Sequence, residues 1–444
     1  MEPKGQSDSP QPSTAPPLPQ GCIGVGIVGA GERGIYYLGR QLVALSAQLN
    51  LRIVGVTDLL PERTSYAVAD LNRWYEEQSI PWHVSEFADT ETLVAQASIQ
   101  LVLVTTHTHA HRRPVELALA AGKQVYLDKP IAVTLTDAFA IHEAEVKAKR
   151  PIMMGFTRRY EPSWLRLHQE LKSGRIGPLQ MMLLRSVIPY SRYLQLWHRH
   201  QQRSGGAIND KCSHHFDVLN WFADSQPTYL SAMGGRSQVF APDPNAPERC
   251  SQCDRTCPYR RHHTLVDQNE GCGEVANPSW LDADQEKNRN DNCVFLPDAD
   301  IDDHLIANVA YPNGVKASLF FSIFGPYAKD QETLELVGTQ GRMVLTRSTG
   351  AIQVVDHYGA HQETIEVVDS KESNGVTDLP EHYSHFGADK LLVQHLENFL
   401  KGQPPIVGVN EGIHSLAMVQ AALQSMAQQS QTIFLASLLR GDNE

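Results

Sequence analysis

Three side chains of complementary type could share one reaction. Lys129 stands in the run LDKP, and Asp210 and His214 lie four apart in GGAINDKCSHHFDVLNWF. On a helix that spacing puts acid and imidazole on one face, while Val218, Leu219 and Phe222 face a core. An imidazole titrates near working pH and suits a general base. The Lys129 ammonium can polarise a hydroxyl oxygen or relay its proton, and Asp210 can hold a hydroxyl or orient the imidazole. Taking a proton from a hydroxyl is half of a carbinol oxidation. The other half is a hydride acceptor.

A site for such an acceptor is legible upstream. GIVGAGERG sets Gly29, Gly31 and Gly34 in the G-x-G-x-x-G pattern, with Arg33 inside the loop. The pattern ends an apolar run and opens a helical one, which is the setting dinucleotide binding needs. The first glycine makes the turn, the second admits a pyrophosphate, and the third lets helix and strand pack. The helix start adds backbone donors and partial positive charge. Asp58 ends the next apolar run, LRIVGVTD. A carboxylate there accepts from ribose hydroxyls and repels a 2′-phosphate, so NAD is favoured, with NADP as the alternative. Thr106 and His111 follow the apolar run QLVLV, and Asp128 precedes Lys129; these are the remaining candidate cofactor contacts.

The elements that position these residues follow from the pattern. Short apolar runs alternate with amphipathic ones up to Arg150, and Gly122 stops the helix PVELALAAGK. Such alternation predicts α/β architecture, an N-terminal Rossmann doubly wound parallel sheet over 22–150. From Pro151 the character changes. HLIANVAYPNGVKASLFFS and ETLELVGTQGRMVLT read as hairpins with Pro-Asn-Gly and Gln-Gly turns. This predicts a C-terminal α+β domain over 151–385, carrying a large open, mostly antiparallel sheet. Helices over 386–444 are expected to pack back on it, and the Pro- and Ser-rich residues 1–21 form a tail.

Composition excludes other classes. The net charge of -12 argues against a nucleic-acid partner. No run is apolar enough to span a bilayer, and no export signal precedes the first strand, so a cytoplasmic chain is expected. Seven cysteines, an odd count, fit that setting better than a disulfide framework.

Taken in order, the motifs resemble the glucose–fructose oxidoreductase/inositol dehydrogenase family (Gfo/Idh/MocA) from about residue 22 to 435. They are the glycine fingerprint, Thr106 then His111, AGKQVYLDKP, RRYEP at Arg158 to Pro162, GGAINDKCSHHFD, and SHFGADK with His385 and Asp389. The resemblance implies that Lys129 contacts the substrate hydroxyl and the nicotinamide ribose, that a cis bond precedes Pro130, and that Lys129, Asp210 and His214 form the catalytic set. It puts Arg159, Tyr160 and His385 near substrate, although Arg158, Arg159 and Tyr160 could equally cap a helix start. It implies a homodimer or homotetramer packed through the open sheet. Two departures stand out: His107-Thr108 replaces Pro-Asn, and Asp128 replaces Glu. The activity implied is hydride transfer between NAD and a ring hydroxyl of a sugar, sugar derivative or inositol. An NAD-dependent redox-cycling glycosidase and a non-enzymatic NAD-binding sensor are the alternatives. His107, His109 and His215 read as structural or exposed, and the basic run WHRHQQR as a solvated loop, with contact to substrate as the alternative.

Residues 240–297 have few apolar positions and no period, yet hold Cys250, Cys253, Cys257, Cys272 and Cys293. Cys-x2-Cys lets two thiolates reach one metal. Cys250, Cys253, Cys257 and Cys293 are the preferred ligands of a structural zinc, with Cys272 and His262 as rivals; metal could supply order that apolar burial cannot. An iron–sulfur cluster, a disulfide or unligated thiols are the other readings.

Overall fold

The computed structural model describes residues 17–260, 291–326, 328–367 and 385–440. Residues 1–16 of the expected tail, together with Cys272 and His262, lie outside the described residues.

The first sheet is built from runs that are apolar at nearly every position, as strands covered on both faces must be. Its strands are β1 (Ile23–Val28), β2 (Leu51–Thr57), β3 (Ser85–Glu86), β4 (Leu101–Val104), β5 (Gln124–Leu127) and β6 (Ile152–Met154). Their spatial order is β3-β2-β1-β4-β5-β6, with every pairing parallel. The order reverses between β1 and β4, which opens a crevice at the carboxyl ends of the strands. β6 lies past Arg150 and pairs with β5, so the parallel sheet extends beyond the expected boundary. Helix Leu135–Ala148 begins where the Thr134 hydroxyl accepts the Asp137 N–H. The helix before β5 ends at Ala120, and Gly122 follows with φ +71°, the stop its sequence foretold.

The central strands of the second sheet alternate in burial, the mark of a sheet with one covered face. Its strands are β7 (Leu179–Val187), β8 (Tyr229–Gly235), β9 (His304–Ala310), β10 (Lys316–Ser322), β11 (Glu332–Gly338), β12 (Gly341–Thr346), β13 (Ala351–Asp356), β14 (Gln362–Glu366) and β15 (Ile433–Phe434). The order is β14-β13-β12-β11-β7-β10-β9-β8-β15. Among the described strands of this sheet only the β7–β10 pairing is parallel. Both expected hairpins form, as β9–β10 and β11–β12. Helices Ser213–Ala223 and Val409–Ala427 lie on the covered face, and the Ser425 hydroxyl accepts the Ala232 N–H at 2.9 Å. Helix Val409–Ala427 also packs on Leu135–Ala148 and so joins the two halves. Among the described residues no helix is long and apolar enough to cross a membrane.

Candidate functional site

Every candidate in the first half follows the carboxyl end of a parallel strand. Gly29 follows β1, Asp58 follows β2, Thr106 lies two residues past β4, and Asp128 and Lys129 follow β5. Gly29 has φ +99°, and a Cβ there would stand 2.7 Å from the Thr105 backbone, so only glycine fits. At Gly31 a Cβ would meet nothing within 4 Å: the loop is open on the side where a pyrophosphate would pass. The Asp58 carboxylate accepts the Ala30 N–H at 2.8 Å and the Leu60 N–H at 3.0 Å. Those bonds hold it beside the loop and leave lone pairs for ribose hydroxyls. Gly34 opens a helix that is π-wound over Arg33–Gly39. The loop, the open side and the held carboxylate suit a dinucleotide.

Arg33 has a larger role than loop filler. Its guanidinium donates to Asp128 at 3.0 Å, to the Tyr126 hydroxyl at 3.1 Å and to Asp389. Asp389 is fully buried and also meets His385 Nδ1 at 2.6 Å. Burial pushes the Asp389 carboxyl up, but Arg33 and His385 outweigh it and hold it at about 2. His385 therefore stands against Asp389 and the Tyr37 ring, on the glycine-loop side of the crevice. His111 is buried, with Nδ1 3.2 Å from the Ile131 carbonyl and Nε2 3.1 Å from the Thr106 carbonyl. It ties the turn after β4 to the segment after β5.

The catalytic candidates converge. Lys129 Nζ donates to Asp210 Oδ1 at 2.9 Å and to the Asp210 carbonyl at 3.1 Å; the Lys129–Pro130 bond is cis. The Tyr193 hydroxyl donates to the other carboxylate oxygen of Asp210. Burial raises the Asp210 carboxyl, but Lys129, Lys211, His198 and Tyr193 together hold it far below the usual carboxylate range. Asp210 lies in a π-helical turn, Ile208–Cys212, that leads into helix Ser213–Ala223. The expected plain α spacing to His214 is thus locally widened. His214 is buried edge-on to Phe156, and its Nδ1 has no hydrogen-bond partner among the described residues. Burial first, then Arg158, Lys129 and Lys211, keep this imidazole neutral well below 6.5. A neutral imidazole is in the form that can accept a proton.

The run WHRHQQR is not a solvated loop. Trp197 stacks on His107 with centroids 4.0 Å apart, and His198 packs on Tyr193 at 4.7 Å. His198 Nδ1 is buried without a partner among the described residues. Burial outweighs the pull of Asp210 and brings the His198 imidazole down to about 3. Tyr193 has no signal of its own in the sequence, and Trp197 and His198 read there only as part of a basic run, because YSRYLQLWHRH has no period; its density of aromatic and imidazole rings is the available signal. Lys211 was passed over as well. Its ammonium lies 4.5 Å from the centre of the Tyr190 ring and 5.9 Å from that of Tyr193. Burial lowers it most; Asp210 pulls upward, Lys129, Arg192 and Arg158 push down, and the result is about 7.

Arg159 donates to both Asp217 oxygens, at 2.9 and 2.7 Å, and stacks on Trp221. Tyr160 is buried edge-on to His395, with no partner for its hydroxyl among the described residues. Arg158 donates to both Glu332 oxygens at 2.7 and 2.8 Å. All three sit in one short 3-10 turn before helix Pro162–Lys172, and the two arginines are engaged by carboxylates of the second half.

Among the described residues no disulfide links Cys250, Cys253, Cys257 and Cys293. Burial raises the Cys293 thiol, and Cys250, Cys257 and Cys253, each near enough to act on it, raise it further. Yet among the described residues no group of three or more His, Cys, Asp or Glu side chains is placed to hold a metal ion. The expected ligand sphere is not formed: the thiols share a region without converging on one point.

A doubly wound dinucleotide fold, joined to an open sheet that brings acid and imidazole to the lysine, defines a two-domain nicotinamide oxidoreductase. The family comparison agrees. Residues 23–156 match the NAD-binding Rossmann fold of an oxidoreductase family, and residues 168–434 match its C-terminal alpha/beta domain. The chain belongs to this Gfo/Idh/MocA family and is an NAD-binding oxidoreductase. It is 25% identical over 398 residues to YteT of Bacillus subtilis, named as an oxidoreductase, across 85% of this chain and 90% of that one. It is 31% identical over 217 residues to the inositol 2-dehydrogenase of Gluconacetobacter diazotrophicus, across 47% of this chain and 56% of the relative. A levoglucosan dehydrogenase in complex with NADH and levoglucosan shares the fold, with TM-score 0.67, 16% identity and coverage of 93% and 99%.

Proposed function

We propose that this chain oxidises or reduces a ring hydroxyl of a sugar, sugar derivative or inositol. The observation that carries the reading is the Lys129–Asp210 contact at 2.9 Å, set beside a buried His214 kept neutral by its surroundings. The inositol 2-dehydrogenase relative and the levoglucosan-bound neighbour support the substrate class.

Oxidation removes a hydride from the carbinol carbon and a proton from its oxygen, leaving a carbonyl. NAD, when bound, supplies the hydride acceptor. His214 takes the hydroxyl proton. Lys129, held by Asp210, donates a hydrogen bond to the oxygen and stabilises charge as the O–H bond breaks. Tyr193 fixes the second carboxylate oxygen, so Asp210 keeps Lys129 oriented rather than turning to solvent. Asp58 is proposed to select NAD over NADP. Arg159, Tyr160 and His385 are proposed to shape the substrate pocket through the contacts described rather than by free polar groups.

The test is one plate: protein and NAD with free sugars and inositols in half the wells and nitrophenyl glycosides in the rest. NADH accumulating with a free sugar or polyol is the expected result. Nitrophenol release that needs NAD but yields no net NADH would assign a redox-cycling glycosidase. Silence in both halves, with NAD still bound, would favour a sensor.

Three narrower readings accompany this one. The outer face of the second sheet exposes Met181, Leu183, Met233, Ile306 and Phe320, which supports assembly as a homodimer or homotetramer through that face. The free thiols of Cys22, Cys212, Cys253, Cys257 and Cys293 support a cytoplasmic setting. A structural zinc on Cys250, Cys253, Cys257 and Cys293 is supported by Cys-x2-Cys-x3-Cys spacing and by their proximity. It would require the thiols to draw together on binding. Elemental analysis showing zinc, lost in Cys253→Ser, would establish it; zinc-free native protein would remove it.

A further inference from the structure

Lys211 is placed unlike an ordinary surface lysine. It follows Asp210 directly, in the same π-helical turn, and it is half-buried. Among the described residues it enters no ion pair and no hydrogen bond; its contacts are the faces of Tyr190 and Tyr193. The carboxylate that pulls on it, Asp210, already meets Lys129 on one oxygen and Tyr193 on the other. Arg192 stands over the same Tyr190 ring, 5.4 Å from its centre. Arg158, also close enough to depress Lys211, is neutralised by Glu332. Lys129 and Lys211 thus share the one carboxylate of Asp210. Positive charge gathered in a cleft lowers the energy of an incoming anion. The phosphates of the cofactor do not answer this, because they belong at the Gly29–Gly34 loop on another element.

We propose that Lys211 binds an anionic group on the substrate, so that the sugar or polyol acted on at Lys129 and His214 carries a carboxylate or a phosphate. The proposal rests on the dehydrogenase reading and narrows its substrate. The tyrosine faces hold the ammonium in place, and the anion of the ligand completes its coordination.

The experiment uses full-length protein with NAD, in wild-type, Lys211→Met and Lys211→Arg forms. The probes are glucose, glucuronate, glucose 6-phosphate, galactose and galacturonate. Initial NADH rates are read together with calorimetric binding, and thermal melting confirms folding. Wild type should favour an anionic member over its neutral partner by on the order of 10- to 100-fold in kcat/KM, the difference lying in KM, as a charge-assisted contact provides. Lys211→Met should bring that ratio near one, and Lys211→Arg should restore part of it. A carboxylate and a phosphate source are separated by which arm responds. Neutral sugars used or bound as well as their anionic partners, or a ratio unchanged in Lys211→Met, overturns the proposal. Anion binding that depends on Lys211 without NADH from any probe would keep this inference and sink the dehydrogenase reading instead.

Discussion

At the residue scale the reaction depends on a base that stays neutral. Burial and four neighbouring cationic or imidazole groups hold His214 uncharged far below 6.5, so a loss of activity on acidification to about 6.5 should not come from its protonation. Replacing it with asparagine keeps size and polarity but removes proton uptake. His214→Asn should lower kcat by roughly 10²- to 10⁴-fold, the usual share of general-base catalysis, with NAD affinity retained by fluorescence titration. A kcat within a factor of about three of wild type would take His214 out of the proton path. Asp58 answers a different question. Asp58→Asn removes the charge that repels a 2′-phosphate while keeping acceptor and donor atoms beside the loop. The KM ratio for NADP over NAD should fall by about ten-fold or more, read from parallel titrations.

At the element scale the two halves are joined by buried charge. The turn after β6 supplies Arg158, β11 supplies Glu332, and Arg347, just past β12, meets Glu161 at 2.7 Å and Glu332 at 3.5 Å. Burial pushes the Glu332 carboxyl up, but Arg158 and Arg347 outweigh it and keep it ionised. Glu332→Gln would leave two buried guanidinium groups short of negative charge. It should cost about 3–5 kcal/mol, the usual loss when one member of a buried pair is removed. Chemical denaturation would show this as a lower midpoint, and an unchanged midpoint would mean that water reaches the network. A second knot, Arg33 with Asp128, Tyr126 and Asp389, ties the glycine loop to helix Ala388–Leu400.

At the scale of the whole molecule, buried imidazoles couple folding to pH. Burial brings His107 to about 4, His198 to about 3 and His215 to about 4, all from an ordinary 6.5, and lowers His214 as well. In the unfolded chain these rings take protons near 6.5, whereas in the folded protein they do not. Between those values the unfolded state binds more protons, so stability is full above about 6.5 and falls as pH drops. Each such ring contributes a slope of about 1.4 kcal/mol per pH unit in that window. Melting temperature should therefore fall between about pH 7 and pH 5. A flat profile would mean that these rings are hydrated. The exposed sheet face acts at the same scale. Phe320→Glu should shift the native mass measured by light scattering toward the monomer.

Much of this protein was readable before its structure. Strand–helix alternation is local, so the parallel sheet, both hairpins and the glycine loop followed from periodicity and turn residues alone. The order of motifs likewise brought Lys129, Asp210 and His214 together as types. What the chain order could not show was distance between segments far apart in sequence. The Tyr193 hydroxyl on Asp210, Trp197 on His107, and Arg33 reaching Asp389 are contacts across 17 to 356 positions. The cysteines show the converse: metal-like spacing is a local property, but ligation needs thiols to converge, and tertiary packing left them adjacent without a common centre. Sequence determined which groups were available and which elements carried them. Only the tertiary structure decided which charges met, because burial and electrostatic balance depend on neighbours in space rather than along the chain.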